Sequence, residues 1–194
     1  MMDKNELLYD HFKETYSLHL KVKKKRDTLF IMLCIGITLL FCLHLEPVGI
    51  FESVNEMMKE KYSLEIPFAI STVQSFVWIM VLCFFIRYFQ TSIYIERQYK
   101  YFEKLEEIIS QNYKIDFYRE SKNYENNYPI ILSIIYRIYV YVFPALAIFV
   151  IVIKIYYEFI NITNIISLIF NSIIALLIVI LNIFYLVFII KKNN

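Results

Sequence analysis

Four residues near the end of the chain are the ones whose types and spacing could do chemistry. Ser167, Asn171, Ala175 and Asn182 are spaced by four, four and seven residues, inside a stretch with no charge from Ile165 to Ile190. At 100° per residue Asn171 and Asn182 stand about 20° apart on a helix, so they share one stripe. Amides facing hydrocarbon are costly, so the stripe must face protein or water. Two readings follow. The stripe bonds neighbouring helices within one subunit, at about 0.6 kcal/mol for each contact, or it lines a conduit or an oligomer axis. In the second reading Ile178 and Val179, between the two asparagines, form a hydrophobic gate that closes by dewetting.

The second candidate is the basic run Lys21, Lys23, Lys24, Lys25 and Arg26. One reading makes it a topology determinant that touches anionic lipid, at about 1 kcal/mol per charge near the surface. The other makes it a phosphate-binding surface for a nucleotide or nucleic acid. Four copies in a symmetric assembly would set about 20 positive charges around one axis, a field able to capture a polyanion.

Other polar groups read more simply. Ser71, Gln74, Ser75 and Trp78 cluster on one side of an apolar run, and Cys34, Thr38 and Cys42 recur every four residues in another. Small-residue faces of this kind let helices approach closely. The three cysteines form no CxxC or Cys/His pattern, so they read as small hydrophobes, with neither a disulfide nor a metal site expected. Arg137 pairs with Glu96, Glu106 or Glu107, snorkels, or lies outside the bilayer, and Lys154 is expected to snorkel. His11, His19 and His44 belong to no HExxH pattern, and no GxSxG or Gly-rich phosphate loop occurs. No enzyme and no cofactor are expected.

The elements that position these residues follow from hydropathy. The chain is 59% hydrophobic with a mean hydropathy of +0.52, more apolar than an ordinary soluble domain. The 26 residues from Ile165 to Ile190 are long enough, as a helix, to cross a ~30 Å hydrocarbon core. A single segment can do this only as a helix, because lipid offers no partner to backbone N–H and C=O groups. The pattern predicts an all-α integral membrane protein with four transmembrane helices at 28–45, 68–86, 137–157 and 165–190. The first span lacks a small-residue cleavage pattern after it and is expected to stay as an anchor. Residues 1–27 form an amphipathic and basic segment in which Leu8, Phe12, Tyr16 and Leu20 recur every four residues.

Residues 46–67 form an external loop with a short amphipathic helix between Pro47 and Pro67, built on Ile50, Val54, Met57 and Met58. No breaker interrupts Arg87 to Ser110, where Tyr88, Ile95, Tyr99, Phe102 and Ile109 keep a helical stripe. The second span is therefore expected to continue as a long cytoplasmic helix. Residues 87–136 make a hairpin that turns at 111–127, with 128–136 in its other arm. Pro144 removes a backbone hydrogen bond and should kink the third span. Residues 158–164 form an external turn and 191–194 a short tail.

Orientation follows from Lys and Arg. Seven precede the first span, two lie in 46–67, seven lie between Arg87 and Lys122, none lies in 158–164, and two close the chain. Both termini and the long middle segment are expected in the cytoplasm. Little sequence lies outside the spans, so a symmetric homo-oligomer is expected, a homotetramer first.

Four short helices, the basic N-terminal segment, and the stretch Tyr101-Phe-Glu-Lys-Leu-Glu-Glu-Ile-Ile followed by Phe117-Tyr-Arg-Glu resemble small membrane effectors of bacterial anti-phage systems. The kinds it looks like are the channel-like effector of the Hailong system and the membrane subunit of the Kiwa system. The resemblance is one of architecture. It implies a bacterial inner-membrane location and a closed oligomeric pore that opens on infection. It also implies an anionic nucleotide or single-stranded DNA oligomer as ligand, which suits Lys21–Arg26. The contrasting expectation is a non-conducting membrane sensor or scaffold that docks a soluble partner through residues 87–127.

Overall fold

A computed structural model of the chain describes residues 4–45, 47–63, 69–114, 117, 130–162 and 164–193. Every regular element among them is helical: α1 (Lys4–Leu45), α2 (Pro47–Tyr62), α3 (Ile70–Tyr113), α4 (Ile130–Arg137), α5 (Phe143–Ile160) and α6 (Ile165–Asn193). A π-helical turn, Ile138–Val142, joins α4 to α5. Four stretches are long and apolar enough to cross a membrane, within Glu6–Leu43, Ile70–Tyr113, Ile138–Ile160 and Ile165–Lys191. The protein is a multi-pass, all-helical membrane protein. Pro67 and Phe68, where the second span is expected to begin, and most of the turn at 111–127 lie outside the described residues.

Two of the helices run well beyond a single span. The basic segment and the first span are one helix of 42 residues, and α3 has 44. At 1.5 Å per residue these are about 63 and 66 Å, twice what a ~30 Å hydrocarbon core requires. The contacts divide the chain into two compact units, Met1–Phe30 with Arg87–Arg137, and Ile31–Ile86 with Ile138–Asn194.

In the first unit α1 and α3 run antiparallel around an aromatic core. Phe12, Phe102, Leu105 and Ile109 are buried together, with Leu8, Tyr16 and Phe117 packed against them. Phe12 meets Phe102 and Phe117 edge to face, with centroids 6.0 and 5.3 Å apart, a geometry that favours the ring quadrupoles. Among the described residues the Arg87–Tyr113 stretch packs against the start of α1. The expected α1 stripe also turns away before its end. An i,i+4 series drifts about 40° per step, so Leu20 stands about 120° from Leu8. Leu20 is exposed, and His19 is buried in its place. Lys114 closes α3 with a left-handed backbone (φ 53°), a usual way for a helix to stop.

In the second unit α1 and α3 meet closely at Gly36. A Cβ there would lie 2.9 Å from Val81 Cγ2, so only glycine lets α1 and α3 come this near. The packed face of α1 is Leu33, Gly36, Leu40 and Leu43. The expected Cys34–Thr38–Cys42 face is not the one used. Thr38 is exposed, as is Cys83, while Cys34 and Cys42 are half-buried. Ala147, Ile151 and Lys154 of α5 and Ile174, Ala175, Ile178 and Ile189 of α6 complete the interior.

Pro144 lies in the first turn of α5, directly after the π turn. Its ring collides with the carbonyl four residues back, Val140, and it offers no N–H. Widening the preceding turn accommodates both defects, so the disturbance expected at Pro144 is taken up over Ile138–Val142.

Candidate functional site: a charge pair inside the spanning helices

Lys154 and Glu158 are one turn apart on α5, so both project from one face. Lys154 Nζ lies 3.3 Å from Glu158 Oε1, with the side chains 5% and 12% exposed. A lysine placed N-terminal to glutamate is the weaker order for such a pair on an isolated helix. Here other helices reinforce it. Trp78 Nε1 of α3 donates to Glu158 Oε1 at 3.3 Å, and Asn171 Nδ2 of α6 donates to Oε2 at 3.0 Å. The carboxylate thus joins three helices.

A further layer holds Asn171. Ser75 Oγ lies 2.9 Å from Asn171 Oδ1 and 3.1 Å from the Ser71 carbonyl, and its single proton serves one of them at a time. Gln74 Nε2 donates to the Leu43 carbonyl at 3.2 Å, satisfying one of the last carbonyls of α1 that have no partner within the helix. Asn164 caps α6, its Oδ1 accepting from the backbone N–H of Ile166 at 2.9 Å and Ser167 at 3.3 Å.

The stripe of α6 faces the interior of this unit. Asn171, Ala175, Ile178 and Asn182 are buried, and Ser167 and Val179 are half-buried. The two amides behave differently. Asn171 engages Ser75 and Glu158. Asn182 donates to its own helix at Ile178 O (2.8 Å), and its Oδ1 has no hydrogen-bond partner among the described residues.

The basic run lies on α1. Lys21, Lys24 and Lys25 are exposed, while Lys23 sits 5.6 Å from the centre of the Tyr99 ring, a cation–π distance. Arg26 donates to Asp27 Oδ1 from Nη2 at 2.7 Å and from Nε at 3.1 Å. The run is therefore three exposed lysines flanked by two cations already in contact with side chains. Arg137 ends α4 and is exposed. No His, Cys, Asp and Glu grouping suited to a metal ion occurs among the described residues.

Sequence reasoning placed Lys154 at a span end and let it snorkel. It is instead covered by protein. It also treated Glu158 as part of an outer turn and Trp78 as packing. The signal that could have found the site is a Lys–Glu pair at i,i+4 within an otherwise apolar segment, since an ionisable group in a span is by default a functional candidate.

The chain matches no protein-family model, no curated protein and no solved structure.

Proposed function

We propose that the chain is a gated ion-conducting membrane protein that is closed at rest. The observation carrying this reading is the buried Lys154–Glu158 pair, held by Trp78 and Asn171 among helices that otherwise need only apolar side chains. Apolar residues of similar volume often stabilise such a site by about 1–4 kcal/mol relative to an ion pair. Charge retained there suits a route for ions or water better than it suits packing. In the closed state the pair neutralises itself, and the apolar turn at Ile178 and Val179 separates Asn171 from Asn182. That turn lies ~10 Å along α6 from Asn171, a length that can stay dry. Opening separates Glu158 from Lys154 and wets this interior.

The Lys and Arg distribution supports cytoplasmic termini and a cytoplasmic location for the α3 stretch beyond the second span. In this reading the exposed lysines of Lys21–Arg26 receive an anionic signal, a nucleotide or a single-stranded DNA oligomer. The resemblance to anti-phage membrane effectors supplies the setting, a bacterial inner membrane and a homotetramer. The test is ion flux from liposomes reconstituted with the full chain, beside membrane potential in expressing cells. Lys154→Met and Glu158→Gln are expected to raise resting flux, and Lys23→Glu with Lys24→Glu and Lys25→Glu to abolish a ligand response. Flux indistinguishable from empty liposomes in all these variants, with and without DNA oligomer, refutes conduction.

One observation favours the second reading, a scaffold for a soluble partner. Tyr94, Tyr101 and Ile108 recur every seven residues on α3 and are each 44–46% exposed, the spacing of a helix-docking seam. Co-purification lost on Tyr94→Asp with Ile108→Asp, in a protein that never conducts, is the outcome this reading requires.

A further inference from the structure

A cavity of about 130 Å³ opens against the charge pair, lined in part by Lys154, Glu158, Gln74, Asn171, Ser167 and Ile162. Its size is close to that of cavities of about 150 Å³ that admit a benzene ring, so it takes a small head group rather than a whole lipid. Its polar groups have unused capacity. An ammonium has three N–H donors, and Glu158 is the ion-pair partner of Lys154 among the described residues. Of the carboxylate oxygens, Oε1 faces both Lys154 and Trp78, while Oε2 accepts from Asn171 alone and keeps a lone pair.

The charges decide the ligand class. Lys154 and Glu158 cancel, so an anion entering next to Lys154 also meets the Glu158 carboxylate, and a cation meets the ammonium. At contact distance beside side chains this little exposed either repulsion is large. A ligand carrying both charges a few bonds apart satisfies both residues at once. The chain around the cavity adds a second constraint. Ile160, Ile162, Ile165 and Ile166, on either side of the α5–α6 turn, are all more than half exposed. Ile162 also lines the cavity, and an exposed apolar run beside a charged pocket suits a molecule with a zwitterionic head and hydrocarbon tails.

We propose that this cavity binds a small zwitterion of the phosphoethanolamine type, with phosphate at Lys154 and primary ammonium at Glu158. The site stands whether or not the chain conducts ions, and its test reads binding rather than flux. The shared chemistry has two sources, a phosphatidylethanolamine headgroup and the free solute. Native mass spectrometry of the full chain in detergent compares phosphatidylethanolamine with phosphatidylglycerol, which is anionic only. Trp78 fluorescence follows free phosphoethanolamine. Expected is a preference of about tenfold or more for phosphatidylethanolamine, reduced to near parity in Glu158→Gln. Ser167→Leu, which narrows the cavity without touching the pair, should abolish the preference while the helical circular dichroism is unchanged. Binding of the free solute with the same dependence on Glu158 and Ser167 assigns the site to a soluble zwitterion. Equal binding of both lipids, or a preference that survives both variants, together with no response to the free solute, overturns the proposal and leaves a cavity that holds only water.

Discussion

Removing one partner of the Lys154–Glu158 pair should cost far more than removing both. The pair is almost fully enclosed, and Glu158 takes further hydrogen bonds from Trp78 and Asn171. Lys154→Met leaves a carboxylate with two neutral donors and no counter-ion. Glu158→Gln leaves an ammonium beside an amide. Breaking a buried pair from one side destabilises by about 3–5 kcal/mol, because the surviving charge is desolvated without compensation. The remaining donors around Glu158 moderate the Lys154→Met loss, so the lower end is expected there. The double variant Lys154→Met with Glu158→Met carries no buried charge and should lie within ~2 kcal/mol of the natural chain. The cycle then yields a coupling of several kcal/mol, well above the 0.5 kcal/mol at which residues count as independent. Trp78 is the chain's only tryptophan and its Nε1 contacts the carboxylate, so its emission reports directly on the site during denaturation in mixed micelles. Singles that each lose less than ~1 kcal/mol, or a double variant that loses their sum, refute the view that this is a desolvated, mutually dependent pair.

Three other expectations follow from particular contacts. Gly36→Ala places a methyl 2.9 Å from Val81 Cγ2, an overpacking worth about 1–3 kcal/mol that Val81→Ala should largely restore in the same unfolding assay. Asn171→Leu and Asn182→Leu should differ in sign or size. The first leaves one oxygen of Glu158 without its donor and destabilises, whereas the second removes an oxygen that has no partner among the described residues and should be near neutral or stabilising. Phe12→Ala empties the aromatic core of the first unit and should cost about 3–5 kcal/mol, seen as early loss of Tyr fluorescence anisotropy and of protection from proteolysis over the first 30 residues.

The membrane class and the four apolar stretches were legible because lipid imposes a length and a composition that a single sequence displays. The long continuation of α3 was legible too, since a helical stripe runs from Tyr88 to Ile109 without glycine or proline. Other features depended on which face meets which neighbour. A repeat of four, read from Leu8 to Leu20, looks like one face but turns off it, and His19 takes the buried place only because Tyr99 and Phe102 lie opposite. Gly36 carries no periodic signal, and its meaning comes from Val81, 45 residues away. Lys154 beside an interfacial tyrosine pair reads as a snorkelling residue until Trp78 and Asn171 are seen to close over its partner. The π turn follows from Pro144 meeting Val140 within a continuous helix, a clash that composition marks without stating how the backbone resolves it.

The hydroxyl of Ser75 has one proton and two acceptors, Asn171 Oδ1 on α6 and the Ser71 carbonyl on its own helix. The two arrangements differ by about one hydrogen bond against another, roughly a kcal/mol or less, so a single bond rotation moves between them at ordinary temperature. In one setting α3 and α6 are tied together. In the other the tie is folded back into α3, and Asn171 keeps its bond to Glu158 alone. A two-position rotor therefore sits one residue away from a carboxylate bound by three helices. Its side-chain rotation belongs to the picosecond–nanosecond range. The looseness of the whole polar knot is set by that small part, and Ser75→Ala, which fixes the rotor in neither position, would slacken the knot without removing any charge.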